Sequence, residues 1–199
     1  MPKIDAGTLT EHRSQVRAKL FSALSRLMHE RGFESITMAN IAQEAEVGRT
    51  AVYNHFADKE MLLLAFVNHE TQQYMVQLKN ALEGITDPVE KLRVYVRKQA
   101  ALSSVFHMPP GASYHSILSR DALRRMGEHA RVVSEVLQSI IEDGVASGAF
   151  PPQDMPSVIK LIHACLNGQR FPDEGEELAR AADAAELFIL RALGASTEK

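Results

Sequence analysis

The stretch that decides the fold runs from residue 37 to residue 59 and reads Thr-Met-Ala-Asn-Ile-Ala-Gln-Glu-Ala-Glu-Val-Gly-Arg-Thr-Ala-Val-Tyr-Asn-His-Phe-Ala-Asp-Lys. Thr37 can cap a first short helix, because its hydroxyl can accept a backbone N–H at a helix start. Ile41 and Ala42 then fall on one face. The pattern breaks at residues 46–48, which is turn length, and restarts. This is the helix-turn-helix arrangement, in which the second helix lies in the DNA major groove.

Successive residues of an α-helix lie about 100° apart around its axis, and at this spacing the second helix has two distinct faces. One face carries donors and acceptors without a carboxylate, as suits a surface that meets phosphates and base edges. Its residues are Arg49, Thr50, Tyr53 and Asn54. The opposite face suits packing on the first helix and consists of Ala51, Val52, His55 and Phe56. We expect His55 to pack rather than to read bases, and Asp58 to cap a new helix.

This stretch resembles the TetR family of bacterial transcriptional regulators, whose motif has the form T-x-x-x-I-A-x-x-A-G-V-S-x-G-T-x-Y-x-x-F-x-x-K. The matching residues are Thr37, Ile41, Ala42, Ala45, Val47, Val52, Tyr53, Asn54, His55, Phe56, Lys59, Glu60, Leu62 and Leu63. The resemblance covers the first third of the chain. It implies that Tyr53 and Lys59 bind phosphate. Thr37 is a further candidate, since a helix start can hold a phosphate through a hydroxyl and backbone N–H groups.

Four residues depart from the family pattern. Glu46 stands where the family usually has a turn glycine, and Gly48 where it has a capping serine. Thr50 and Ala51 replace a common Gly-Thr pair. A glutamate forced to positive φ costs on the order of 1 kcal/mol, whereas glycine is still an acceptable N-cap. We therefore expect the fold to survive and the DNA contacts at this corner to differ from the family pattern.

Composition and charge fit a globular DNA-binding protein. The 199 residues are 45% apolar and 24% charged, with one cysteine, which argues against a disulfide framework. No N-terminal apolar run and no stretch of about 18 apolar residues occurs, so we expect a cytoplasmic protein without a membrane span. The net charge is −3, yet residues 1–33 carry six basic and three acidic side chains, a net of +3. A local basic face is enough to attract phosphate.

The whole pattern predicts an all-α protein of about nine helices without strands. Residues 1–57 form a three-helix DNA-binding domain, with a loose arm over residues 1–8 and a first helix from Thr10 to Arg31. That helix has an apolar stripe of Val16, Leu20, Phe21, Leu24, Leu27 and Met28. Residues 58–199 form a helical ligand-binding and dimerisation domain.

The predicted helices of the second domain start or stop at capping residues, prolines and glycines. They cover residues 58–82, 87–107, 112–118, 119–147, 154–167 and 174–193, with a break at residues 108–111. The apolar run Met61–Val67 is expected to be buried between the two domains and to transmit motion.

The last two helices are the predicted dimer surface. Their apolar residues are Val158, Ile159, Leu161, Ile162, Cys165 and Leu166 on one helix, and Leu178, Ala181, Ala182, Ala185, Phe188, Ile189, Ala192 and Leu193 on the next. The pattern alone also fits an intramolecular core. The resemblance to the TetR family implies a homodimer through a four-helix bundle, which suits a palindromic operator on double-stranded DNA.

The resemblance also implies a pocket for a small-molecule effector in the middle helices. Apolar bulk with a few polar groups is what such sites use. The candidate residues are Phe66, His69, Tyr95, Phe106, His107, Met108, Tyr114, His115, Ile162 and His163. For any one of them a place in the core is the alternative.

Other classes of function find less support in the sequence. We predict no cofactor and no metal site, because the eight histidines form no H-x-x-x-H or H-E-x-x-H pair. Cys165 lies in an apolar run, which indicates an inert core thiol. No phosphate loop, nucleophile elbow or catalytic carboxylate pair is present, so no catalytic residues are predicted. The resemblance implies a repressor that binds its operator as a dimer and is released by a small, largely apolar ligand. The alternatives are a regulator without a ligand and a metal-sensing helical protein.

Overall fold

A computed structural model describes residues 6–103, 118–169, 171–172 and 174–195 of the chain. Within these ranges every regular element is helical, which confirms the predicted all-α class. The elements are α1 (Ala6–Glu30), the 3₁₀ turn Phe33–Ser35, α2 (Met38–Glu44), α3 (Arg49–His55), α4 (Lys59–Leu82), α5 (Pro88–Ser103), α6 (Arg120–Ala146), α7 (Met155–Asn167) and α8 (Gly175–Ala192). Three predicted features lie outside the described residues. They are the last residues of the helix predicted to reach residue 107, the break at residues 108–111, and the short helix 112–118 apart from Leu118.

Two compact units make up the chain. The first comprises the residues up to His69 and a later segment that ends at Met126, and the second comprises Glu70 to the end of α5 and the residues from Gly127 onward. Helices α4 and α6 therefore contribute residues to both units. Whether residues 1–57 and 58–199 form separate domains stays a prediction.

The first unit has its core along α1. All six residues of the predicted stripe are buried, with Leu20 and Leu24 fully so. Helix α1 packs against α2, and α2 packs against α3. Ile41 and Val52 close this core from the helix-turn-helix side, each 0% exposed. The apolar spacing read from the sequence thus places α2 and α3 on α1.

The N-terminal boundary of α1 differs from the prediction. The helix begins at Ala6, so residues 6–8 are helical rather than part of a loose arm. No proline lies between Ala6 and Thr10 to interrupt the backbone hydrogen bonds. The predicted start at Thr10 is therefore four residues too late.

The second unit has a core built mainly from α5, α7 and α8. Helix α5 packs against both of the other helices, and Leu92, Tyr95 and Val96 on it are fully buried. The predicted caps are present, since Asp87 Oδ1 accepts from the Val89 N–H at 3.1 Å and Ser119 Oγ accepts from the Ala122 N–H at 3.3 Å. These caps fix where the helices begin.

The first turns of α4 are not buried on every side. Leu62, Leu63, Leu64, Phe66 and Val67 are buried, whereas Met61 is 41% exposed. A run that is apolar in sequence therefore still has one face in solvent. Its expected place between two domains stays a prediction.

Candidate nucleic-acid interface and effector site

Helix α2 begins with a reciprocal cap. Thr37 Oγ1 accepts from the Asn40 N–H at 3.1 Å, and Asn40 Oδ1 accepts from the Thr37 N–H at 3.1 Å. The Thr37 hydroxyl also donates to Asn40 Oδ1 at 2.7 Å. Such a cap stabilises a helix by about 1 kcal/mol. The hydroxyl is thus engaged within the protein, and a phosphate contact from Thr37 stays a prediction.

The corner between α2 and α3 is a Schellman turn with glutamate in the glycine position. The Val47 N–H donates to the Ala42 carbonyl at 2.9 Å, and the Glu46 N–H donates to the Gln43 carbonyl at 3.1 Å. Glu46 has φ of 53°, the left-handed value that this turn requires. The positive φ that the sequence indicates for this residue is confirmed. Gly48 caps α3 with extended backbone, as expected.

Helix α3 presents the two predicted faces. Arg49, Thr50 and Asn54 are exposed, and Tyr53 is 49% exposed. On the other side, Val52 is fully buried. The first unit therefore displays a carboxylate-free polar surface on this helix. The binding of DNA by Arg49, Thr50, Tyr53 and Asn54 stays a prediction.

Cations cluster around the end of α3. The Arg17 guanidinium lies 5.6 Å from the Phe21 ring centroid and 5.7 Å from that of Phe56. His55 is half-buried and packs near Phe56, with ring centroids 6.3 Å apart. Burial lowers the pKa of His55, and the charges of Arg13, Arg17 and His12 lower it further. Positive charge is therefore concentrated around His55 at the C-terminal end of α3, where it can attract an anion such as phosphate.

Lys59 has partners that the sequence did not indicate. Its ammonium group donates to the backbone carbonyls of Phe33, Glu34 and Ile36 at 3.3, 3.1 and 3.1 Å. Its Nζ also lies 4.8 Å from the Phe33 ring centroid. All three ammonium hydrogens are therefore directed at protein oxygens in this structure. Binding of a DNA phosphate by Lys59 stays a prediction. A phosphate would compete with the three carbonyls for the ammonium group.

Three polar side chains meet in the interior of the second unit. The Tyr95 hydroxyl lies 2.9 Å from His163 Nε2, and Gln99 Nε2 donates to the Tyr95 oxygen at 3.1 Å. Burial raises the pKa of Tyr95 and lowers that of His163. Burial therefore favours the neutral forms of both side chains, and the tautomer of His163 decides which of them donates in this hydrogen bond. Of the predicted effector residues, the structure brings together Tyr95 and His163, with Ile162 buried on the same helix.

The remaining predicted effector residues lie elsewhere. Phe66 and His69 belong to the first unit, where their ring centroids lie 5.9 and 5.3 Å from that of Phe21. Both rings pack against α1, because their spacing on α4 places them on the same side of that helix. The other five candidates, Phe106, His107, Met108, Tyr114 and His115, lie outside the described residues.

A small groove between α4 and α5 was missed by sequence reasoning. It encloses about 150 Å³. Its polar lining residues are Glu70, Gln73, Tyr74, Gln77 and Lys98. The Tyr74 hydroxyl is buried and has no hydrogen-bond partner among the described residues. The signal was present in the sequence, because residues 70, 73, 74 and 77 share one helix face.

The predicted dimer surface is narrower than the sequence indicated. Ile162, Leu166, Ala182, Ala185, Ile189 and Leu193 are buried within the chain itself and belong to the core of the second unit. Large apolar side chains that remain exposed on α7 and α8 are Leu161 at 67%, Phe188 at 61% and Leu187 at 40%. Periodicity could not separate these two sets, because both faces of the helices are apolar.

Cys165 is a free cysteine that is half-buried on α7. Burial raises the pKa of the half-buried Cys165 thiol, which makes it less reactive. Among the described residues, no group of three His, Cys, Asp or Glu side chains is placed to hold a metal ion. Over the same ranges, none of the helices is both long and apolar enough to cross a bilayer.

Residues 20–66 match the sequence model of the family described as bacterial regulatory proteins, tetR family. The HTH-type transcriptional regulator HbdR of Aromatoleum sp. (strain CIB) is 30% identical over 110 residues, which are 55% of this chain and 48% of HbdR. The chain thus spans about half the length of that relative. HbdR is named as a regulator and not as an enzyme.

Two solved structures share the fold over most of their length. FadR from Bacillus subtilis, in complex with stearoyl-CoA, has a TM-score of 0.74 at 16% identity and covers 86% of this chain and 96% of its own. AibR, in complex with isovaleryl coenzyme A and operator DNA, has a TM-score of 0.70 at 21% identity and covers 91% and 99%. At these identities the likeness shows the fold. Residues 20–66 therefore carry the sequence pattern of the tetR family of bacterial regulatory proteins, and the fold is the one that FadR and AibR have.

Proposed function

We propose that this protein is a DNA-binding transcriptional regulator, and that it acts as a repressor. The observation that carries the proposal is the exposed polar face of α3, formed by Arg49, Thr50, Tyr53 and Asn54 without a carboxylate. The exposed side chains of Arg49 and Asn54 carry donors of the kind that read base edges, and Tyr53 carries a hydroxyl that can bind a phosphate. The cations beside His55 add the potential that non-specific binding needs.

The regulator binds a palindromic operator as a homodimer. Leu161 and Phe188 on α7 and α8 are the exposed apolar residues that support this part of the proposal, since large exposed apolar side chains in one region favour association. A two-fold dimer places two α3 helices in successive major grooves, roughly 34–36 Å apart.

A small, largely apolar effector releases the regulator from DNA. FadR and AibR, which share the fold, were both solved with coenzyme A thioesters. In this chain Tyr95 and His163 offer hydrogen-bonding groups beside the apolar core cluster of the second unit. The effector acts only if it binds the DNA-incompatible state more tightly. Motion then passes along α4 through Met61–Val67.

A regulator without an effector is the second candidate. Its support is the closed packing around Tyr95, which is 0% exposed and whose hydroxyl is already satisfied by Gln99 and His163. Loss of operator binding on addition of a small molecule would favour the first candidate, whereas operator binding that no small molecule alters would favour this one.

Footprinting tests the central claim. The purified full chain is applied to the DNA upstream of its own gene, and the experiment is repeated with straight- and branched-chain acyl-CoA thioesters. We expect a protected palindrome that an effective ligand removes. The absence of a protected palindrome on this and other promoters would contradict the proposal.

Substitution of Arg49 tests the role of α3. Arg49→Ala should weaken operator binding by about 1–3 kcal/mol if the side chain reads a base edge. Arg131→Ala is the matched control, because Arg131 is equally an exposed arginine but lies on α6. Equal effects of the two changes would show that only net charge matters and that α3 is not the reading helix.

A further inference from the structure

The ammonium group of Lys59 connects two segments that are distant in sequence. Lys59 is the first residue of α4, and its three partners are the carbonyls of Phe33, Glu34 and Ile36, at 3.1–3.3 Å. An ammonium group has three N–H donors and no acceptor, so these contacts use its full capacity. The Phe33 ring supports the cation from one side at 4.8 Å.

The segment held by Lys59 leads directly into the cap of α2. Phe33 and Ile36 are buried, 2% and 0% exposed, and Thr37 follows at once as the capping residue. The three carbonyls therefore lie at the entry to the helix-turn-helix. Their position sets where α2 begins.

The orientation of α3 depends on α2. The Val47 N–H donates to the Ala42 carbonyl at 2.9 Å across the corner. Val52 on α3 is fully buried in the core of the first unit. If the segment that leads into α2 moves, α2 moves with it. The hydrogen-bonded corner then changes the orientation of α3 and of its polar face.

We infer that Lys59 is a positioning residue for DNA recognition, which fixes the start of α4 to the entry of α2 and does not serve mainly as a phosphate contact. The inference rests on the proposed DNA-binding function. A phosphate could reach the ammonium group only by replacing one of the three carbonyls. Each replacement would loosen the segment that holds α2.

The two roles respond differently to arginine. Arginine binds phosphate at least as well as lysine, through a planar fork of donors. The compact ammonium group of Lys59 converges on three carbonyls from one point, which the larger guanidinium cannot reproduce in the same space. A phosphate contact would therefore survive Lys59→Arg, whereas the positioning role would not.

The experiment compares full-length wild type, Lys59→Met and Lys59→Arg, with Lys79→Met as control, since Lys79 is an exposed lysine in the last turn of the same helix. Operator affinity is measured against salt concentration, together with Tm and amide hydrogen exchange over α2. We expect both Lys59 variants to lower Tm, to speed exchange at the start of α2 and to weaken operator binding about 5–30-fold. The salt dependence of binding should keep the wild-type slope.

The opposite pattern would overturn the inference. Wild-type affinity for Lys59→Arg, with a salt slope reduced by about 1 in Lys59→Met and unchanged hydrogen exchange, would identify a phosphate contact. If the wild type binds no operator, the proposed function fails, while hydrogen exchange over α2 still reports the positioning role. Unchanged exchange in a folded Lys59→Arg protein would reject that role.

Discussion

Glu46 occupies a backbone conformation that favours glycine. Its φ of 53° is the one positive value among the non-glycine residues that the structure describes. A side chain with a Cβ atom pays a steric cost there, which glycine avoids. The turn persists because its two cross-corner hydrogen bonds and the burial of α2 and α3 outweigh that cost.

Replacing Glu46 by glycine should therefore stabilise the protein. We expect Glu46→Gly to raise the free energy of unfolding by up to about 1 kcal/mol, since glycine relieves the strain but loses entropy on folding. Denaturant melts measure the change. Glu46→Ala removes the same carboxylate and keeps the Cβ atom, so it should give no comparable gain. An equal gain with alanine would mean that charge, and not backbone strain, is responsible.

Two tyrosines in the second unit differ in their hydrogen bonding. The Tyr95 hydroxyl has two partners, while that of Tyr74 is buried without one among the described residues. Tyr95→Phe should destabilise the protein by about 1 kcal/mol, because it also leaves Gln99 without its acceptor. Tyr74→Phe should leave stability unchanged or raise it. A comparable loss from Tyr74→Phe in thermal melts would reveal a partner, such as a bound water.

Sequence reasoning succeeds at the residue scale where the chemistry is local. The strain at Glu46 and the cap at Thr37 follow from residue type and position in a short segment. The contacts of Lys59 do not, because Phe33 and Lys59 are 26 residues apart and only the folded chain brings them together. The same holds for Tyr95 and His163, which are 68 residues apart and meet only in the folded chain.

At the scale of elements, α5 and α8 are joined by a charged cluster. Glu186 is 4% exposed and accepts hydrogen bonds from Arg93 and, at 2.8 Å, from Arg97. Asp183 on the same helix pairs with Arg97 at 3.1 Å but is largely exposed. A buried carboxylate needs its cations, so the two helices are held in one register by this cluster.

The two acids of this cluster should differ in importance. Glu186→Gln should lower the free energy of unfolding by about 2–3 kcal/mol, because it removes the charge that compensates two arginines, one of them partly buried. Asp183→Asn makes the same chemical change at an exposed site and should cost under about 1 kcal/mol. Similar losses in chemical denaturation would contradict the view that burial sets the strength of these pairs.

Element boundaries were more predictable than element surfaces. Residues such as Asp58, Asp87 and Ser119 act as caps in the structure as they do in the sequence pattern. The division of α7 and α8 into buried and exposed faces was not predictable, because both faces of these helices carry apolar residues. Glu186 lies among the apolar residues of α8, and the spacing of residues along the sequence does not indicate that Arg93 and Arg97 are its partners.

At the scale of the whole molecule, the proposed dimer depends on side chains that the single chain leaves in solvent. Leu161→Glu combined with Phe188→Glu should yield monomers in sedimentation experiments, because charges would enter a desolvated interface. Operator affinity should fall together with the dimer. Val76→Glu is the control, since Val76 on α4 is similarly exposed at 59%. A dimer that withstands the double substitution would exclude this surface.

The lowered pKa of His55 should make the proposed DNA binding depend on pH. In the free protein burial and the charges of Arg13, Arg17 and His12 favour the neutral ring, so the folded pKa lies below the ordinary 6.5. Phosphates that approach these cations would offset their field and raise the pKa again. The protein should therefore take up a proton when it binds its operator, and affinity should rise as pH falls through this interval. Calorimetry in buffers of different ionisation enthalpy measures that uptake, and His55→Gln should abolish it. A slightly acidified cell would then hold this regulator more tightly on its operator. The proton responsible would be bound by His55, a half-buried residue on the packing face of α3.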